Sequence, residues 1–179
     1  GSRDYAIDWW LVTAGSVRNT PPFWQQAGQD SRGKNVRASF GGTVVAVERN
    51  VTAERTSGYG NYVLIESGEY QAMYSHLLYG SVTLQNGNTV NQGDVIGQVG
   101  QTGGADGNHL HFELRKNEGG TWRAQYIHGL IFDGQAIDFA SWSDPTSWGT
   151  YRGRALEARG ITPNRDTVYF NPAAANAGD

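Results

Sequence analysis

The stretch Asn108-His109-Leu110-His111-Phe112-Glu113-Leu114-Arg115 decides how this chain is read. Side chains alternate along a strand, so His109, His111 and Glu113 share one face. Leu110 and Phe112 take the opposite face, toward a core. Two imidazoles side by side can bind one metal, or one can bind while its neighbour handles protons. The chain has only four histidines, and these two stand one residue apart. An exposed strand can carry such a pair as plain solvated surface, but the residues before it favour a site. Gly97-Gln98-Val99-Gly100-Gln101-Thr102-Gly103-Gly104 reads as a strand end followed by a tight loop, where backbone can come close to a ligand.

Working outward, 179 residues are enough for one domain with a sizeable core. The 25 glycines and 12% aromatic content point to many turns and an all-β fold. A net charge of −3 leaves no basic footprint for nucleic acid. No apolar run reaches transmembrane length. The chain has no cysteine, which excludes disulfides, thiolate metal sites and a cysteine nucleophile. His, Asp and Glu remain as metal ligands. Gly1-Ser2 reads as a cloning scar, so the natural N-terminus is expected upstream. Asn50-Val51-Thr52 is a glycosylation sequon of a kind that arises often by chance.

Short β-rich runs recur roughly every ten residues, the spacing of a sandwich or barrel. Val36 to Glu48 reads as a strand pair around Gly41-Gly42. Tyr62 to Glu66 and Tyr70 to Ser75 read as a hairpin across Ser67-Gly68-Glu69. Val82-Thr83-Leu84 and Asn88-Thr89-Val90 flank an Asn86-Gly87 turn signal. Asp94 to Val99 and His109 to Arg115 complete the series. The expected layout is one domain over 1–160, with its motif core at 36–115, a long insertion at 9–35, and a polar tail at 161–179. Residues 116–179 read as less regular, with weak helical character around Arg154 to Ala158.

Taken in order, these motifs resemble the lysostaphin-type, LytM-like zinc metallopeptidases that cut peptide cross-links in bacterial cell walls. The matching pieces are Val36-Arg37-Ala38, Gly42-Thr43-Val44-Val45-Ala46-Val47, Gly60-Asn61-Tyr62-Val63-Leu64-Ile65 and Tyr74-Ser75-His76-Leu77. Val90 to Gly97, Gly100-Gln101-Thr102-Gly103 and His109-Leu110-His111-Phe112-Glu113 follow. The resemblance covers about half the chain. It implies an antiparallel β-sheet groove or partly open barrel with a long N-terminal loop, holding Zn2+. It implies that His111 is a zinc ligand and that His76 and His109 are catalytic.

The family's other two ligands come from an early His-x-x-x-Asp segment, and Asp4-Tyr5-Ala6-Ile7-Asp8 is the counterpart here. Asp8 takes the aspartate position, and Asp4 stands where the family has histidine. Asp4 can serve as an oxygen ligand, since zinc accepts carboxylates. Alternatively the histidine lies upstream, or the first ligand is absent and the domain is degenerate.

A catalytic zinc keeps three protein ligands and one open position, and it lowers the pKa of bound water toward about 7. His76 and His109 can then orient the water, stabilise the oxyanion or protonate the leaving amine. Glu113 lies on the His111 face, either as a hydrogen-bond partner of that ring or as an ion-paired strand carboxylate. His128 reads as structural or surface. Tyr59, Tyr62, Tyr74, Trp9, Trp10 and Trp24 are groove or core aromatics, with Tyr59-Gly60 the best groove candidate.

The resulting expectation is an exported or cell-envelope zinc endopeptidase acting on peptidoglycan peptide cross-links. One rival is a degenerate domain that binds cell-wall peptide or glycan, or activates a partner amidase. Another is a lectin-like carbohydrate module, which leaves the histidines unexplained.

Overall fold

A computed structural model describes residues 6–9, 31–125, 129–132 and 135–138. Its eleven elements are all strands: β1 (Ala6–Trp9), β2 (Asn35–Arg37), β3 (Gly42–Glu48), β4 (Asn61–Ser67), β5 (Tyr70–Leu77), β6 (Thr89–Val90), β7 (Val95–Gln98), β8 (Leu110–Glu118), β9 (Thr121–Ala124), β10 (Gly129–Phe132) and β11 (Gln135–Asp138). Seven of them form one sheet in the order β1-β8-β5-β4-β3-β6, with β9 added to β8. The pairs β2-β7 and β10-β11 stand as separate two-stranded sheets. All described pairings are antiparallel. The expected all-β antiparallel fold is therefore present, and the large sheet is open rather than closed into a barrel.

One face of the large sheet is packed. Alternate residues of β4, Val63 and Ile65, are buried, as are Ala72 and Tyr74 of β5 and Leu110, Phe112 and Leu114 of β8. Val36, Val90 and Ile96 of the shorter strands and Val99, just past β7, belong to the same cluster. Each fully buried Leu, Ile or Val side chain contributes about 1.5–3 kcal/mol relative to exposure. The alternation turns β8 so that His111 faces away from this core, as its sequence predicts.

Several pairings differ from the sequence expectation. β2 and β3 do not form a hairpin: Val36 pairs with Gly97 of β7, while Thr43 pairs with Glu66 of β4. Gly42 is required for a close crossing, because a Cβ there would overlap the Glu66 carbonyl. Val82 to Leu84 is not a strand. The Asn86-Gly87 turn docks on β3 instead, with Gly87 N donating to Val44 O at 2.7 Å and Val44 N donating to Asn88 O at 2.8 Å.

The described residues beyond 115 are more regular than expected. β8 runs on to Glu118 and returns as β9, with Glu118 paired to Thr121. Gly119 and Gly120 join them with φ of 62° and 89°, the positive angles that a two-residue type I′ hairpin needs. The 10–30 part of the proposed insertion, the helical segment near 154–158 and the 161–179 tail lie outside the described residues.

The Tyr74 hydroxyl ties this core to the bend before β3. It accepts the Ser39 backbone N–H at 2.7 Å and hydrogen-bonds the Ser39 Oγ at 2.5 Å. Burial raises its pKa from 10.0 to about 12, against a smaller opposing pull from the Ser39 hydrogen bonds. The folded state thus holds its proton to higher pH than the unfolded chain, so this stabilisation is complete below pH 10.0 and is lost between pH 10.0 and about 12. Tyr74→Phe should cost about 1–3 kcal/mol at neutral pH, because it leaves a buried N–H unpaired. It should also flatten the alkaline fall in stability over that window. Urea titrations of both proteins at pH 7 and pH 11 check both effects.

Candidate functional site

The face of the sheet opposite the core carries the chemistry. Antiparallel register sets Asp8 of β1 against His111 of β8, and His111 against Ser75 of β5. Asp8, His111 and Ser75 therefore form one row across three adjacent strands. β1 is described by its backbone, which places Asp8 directly beside the imidazole-bearing position.

His76 reaches the same place by breaking the alternation. Asn61 pairs with Leu77, yet Val63 pairs with Tyr74, so β5 holds one residue more than β4 in this interval. This is a β-bulge, a feature that re-aims a side chain and is common near active sites. His76 takes φ of 60°, in the left-handed region where a non-glycine residue is uncommon. Its backbone N–H donates to Tyr59 O at 3.0 Å, its carbonyl accepts from Gly100 N at 3.0 Å, and its Nδ1 lies 2.8 Å from Thr102 O. Simple alternation from buried Tyr74 would have sent His76 into the core. With the bulge, Leu77 takes the core position and is fully buried.

The glycine-rich loop holds this arrangement. Gly100 bridges to His109, and its carbonyl accepts the His109 N–H at 3.2 Å. Thr102 Oγ1 donates to Leu77 O at 2.8 Å and accepts Asn61 N–H at 2.9 Å. Gly60 and Gly103 pack backbone on backbone, with φ of 61° and 74°. The sequence suggested that these glycines let backbone approach a ligand. They let it approach the Tyr59-Gly60 loop and the end of β5 instead.

Three imidazoles converge on this scaffold. The His76 and His109 ring centroids are 4.9 Å apart, and those of His76 and His111 are 5.7 Å apart. His109 Nδ1 lies 2.8 Å from Gly107 O. A carbonyl only accepts, so Nδ1 of both His76 and His109 carries the hydrogen. Nε2 is then the nitrogen of each ring that gains or loses a proton. Both rings are about 6% exposed. Among the described residues no group of three or more His, Cys, Asp and Glu side chains forms a ready metal cage.

Tyr59 lies over the site, 40% exposed, with its ring 5.8 Å from His111 and edge-on to Tyr62 at 6.5 Å. Glu113 is 1% exposed, and its Oε1 accepts Arg115 Nε at 2.8 Å. Glu113 is thus ion-paired on the strand. Burial works against the Arg115 charge, but the hydrogen bond and charge of Glu113, with a further contribution from Tyr59, outweigh it and raise the pKa of the guanidinium. Arg115 and Ser75 carry no signal in the sequence, because their placement depends on register that no spacing reveals. Asp4, His128, Trp10 and Trp24 lie outside the described residues.

The model of peptidase family M23 matches residues 27–122, just over half of the chain, and the chain belongs to that family. The match begins beyond β1, so Asp8 is joined to the site by strand pairing rather than by the matched segment. Among curated proteins, the DD-carboxypeptidase/endopeptidase Mpg of Neisseria meningitidis is 39% identical over 87 residues, covering 48% of this chain and 18% of that protein. The peptidoglycan DD-endopeptidase ShyA of Vibrio cholerae is 43% identical over 56 residues, covering 31% of this chain and 13% of ShyA. The chain therefore spans less than a fifth of the length of these relatives. Among solved structures, the catalytic domain of the prophage-encoded M23 protein EnpA of Enterococcus faecalis has 28% identity and a TM-score of 0.44, covering 53% of this chain and 68% of that one.

The backbone contact between Gly60 and Thr102 offers a controlled test. Gly58 and Gly60 both have positive φ, yet a Cβ on Gly58 meets open space whereas one on Gly60 would overlap Thr102. Gly58→Ala should cost about 1–2 kcal/mol from its left-handed backbone alone. Gly60→Ala should cost clearly more, and thermal melting of the two variants measures the difference.

Proposed function

We propose that this chain is a zinc-dependent endopeptidase that hydrolyses peptide bonds in bacterial peptidoglycan, at the cell envelope or outside the cell. The observation that carries the proposal is the convergence of the His76 and His109 rings beside the Asp8–His111 row. Membership of a peptidase family and similarity to Mpg and ShyA support the reaction class and the substrate. No helix among the described residues is long and apolar enough to cross a membrane.

The residues present suit zinc. A carboxylate and an imidazole directly opposite each other on paired strands are the donor types this ion takes. Asp8 and His111 would hold it, with Asp4, four positions before Asp8, as the candidate third ligand. When bound, zinc supplies Lewis acidity and a water acidic enough to ionise near neutral pH.

The chain's own residues do the rest. Nδ1–H bonds to Gly107 O and Thr102 O fix both imidazoles, so neither ring must reorganise during a reaction. In its neutral form the Nε2 of either ring accepts a proton from an attacking water. In its protonated form it donates, either to an oxyanion or to the departing amine. Two such rings 4.9 Å apart can divide these duties. Tyr59 and Tyr62 offer an aromatic edge along which an extended peptide can lie.

The test is digestion of purified peptidoglycan, with newly exposed amino groups counted by mass spectrometry. His76→Ala and His109→Ala should each lower turnover by about 10²–10⁴-fold while keeping most of the zinc affinity. Cleavage at the wild-type rate by either variant would contradict the roles given to these rings. A wild-type chain that binds cell-wall peptide but cuts nothing would favour the degenerate, binding-only reading.

A further inference from the structure

Ser75 is a polar side chain that the proposed chemistry leaves unused. It is 0% exposed, and its Oγ is buried with no hydrogen-bond partner. Buried hydroxyls are almost always paired, because leaving one unmade forfeits its bonds to water. The strand register shows where this one points. Ala72 and Tyr74 of β5 face the core, so Gln71, Met73 and Ser75 face the site. The contact of Arg115 with Met73 Sδ at 3.2 Å confirms that face. Ser75 stands directly opposite His111, and directly opposite residues on one face have Cβ atoms about 4.5–5.5 Å apart. Ser75 is also the residue before the His76 bulge, so its backbone is held from both sides.

We infer that Ser75 is a positioning residue for the metal-ligand row: its hydroxyl hydrogen-bonds the His111 imidazole when that ring holds a metal ion. This inference rests on the zinc reading above and adds a residue to it. A ligating histidine uses one ring nitrogen for the metal and needs a partner for the other, which fixes its tautomer and orientation. Ser75 Oγ can accept that N–H across the strand pair. Complete burial keeps Ser75 from touching substrate, so its effect is exerted through His111. Glu113, the other candidate partner on this face, has its Oε1 committed to Arg115.

An orphaned hydroxyl makes a two-sided expectation. In the metal-free chain Ser75→Ala removes a buried group that has no partner, so the melting temperature should stay the same or rise. In the zinc-bound chain the same change should weaken zinc binding by about 10–100-fold, the usual effect of losing a partner of a metal ligand. Competition with a chromophoric chelator measures zinc affinity in the full chain, and calorimetry of the metal-free protein gives the melting temperature. Unchanged zinc affinity in Ser75→Ala beside tight wild-type binding would overturn the assignment and leave the peptidase reading intact. Weaker zinc binding together with a lower metal-free melting temperature would also overturn it, by showing a structural role. A wild-type chain that fails to bind zinc would overturn both.

Discussion

The site depends on the left-handed backbone of His76. A non-glycine residue in that conformation costs about 1–3 kcal/mol and persists only where its surroundings over-determine it. Here they do so three times: the N–H, the carbonyl and the Nδ1 of His76 are each bonded to a different residue. The partners are Tyr59, Gly100 and Thr102, which belong to the loop before β4 and the loop after β7. The core enters through Leu77, which takes the buried position only because the bulge shifts the alternation. If His76 relaxed to ordinary strand geometry, its imidazole would turn toward the apolar core and away from His109 and His111.

This also explains the glycine pattern. Gly60, Gly100 and Gly103 are the points where two loops and the end of β5 lie backbone against backbone. The Thr102 carbonyl brought in this way holds Nδ1 of His76, while His109 Nδ1 is held by the nearby Gly107 carbonyl. The sheet itself supplies the Asp8–His111 row by strand register. The two kinds of group in the proposed site therefore come from two structural sources: the proposed ligands from pairing within the sheet, the proposed acid–base groups from loop contacts at its end. The Glu113–Arg115 pair adds charge balance below the mouth. It keeps a buried carboxylate ionically satisfied and places a cation beside Tyr59.

Much of this was legible in the sequence. The alternation of His109, Leu110, His111 and Phe112 gave the strand and its two faces, and the Tyr70 hairpin followed from Ser67-Gly68-Glu69. Long-range pairing was not legible. Nothing near Val36 says that its partner is Gly97 rather than β3, and the glycines between β2 and β3 imitate a hairpin turn while serving a close crossing. Gly119-Gly120 was a readable turn signal that was passed over among the polar residues around it. The His76 bulge leaves no local mark, since it follows from a mismatch of register between two strands. Ser75 gains its meaning only from that register, which sets it opposite His111.

The central claim is that the Asp8–His111 row holds zinc, and the most direct test is the zinc stoichiometry of the full chain after reconstitution and desalting. The account predicts close to one zinc per wild-type chain and a large loss in His111→Ala, with the fold retained by circular dichroism. Near-zero zinc in the wild type, or equal zinc in His111→Ala, would contradict it.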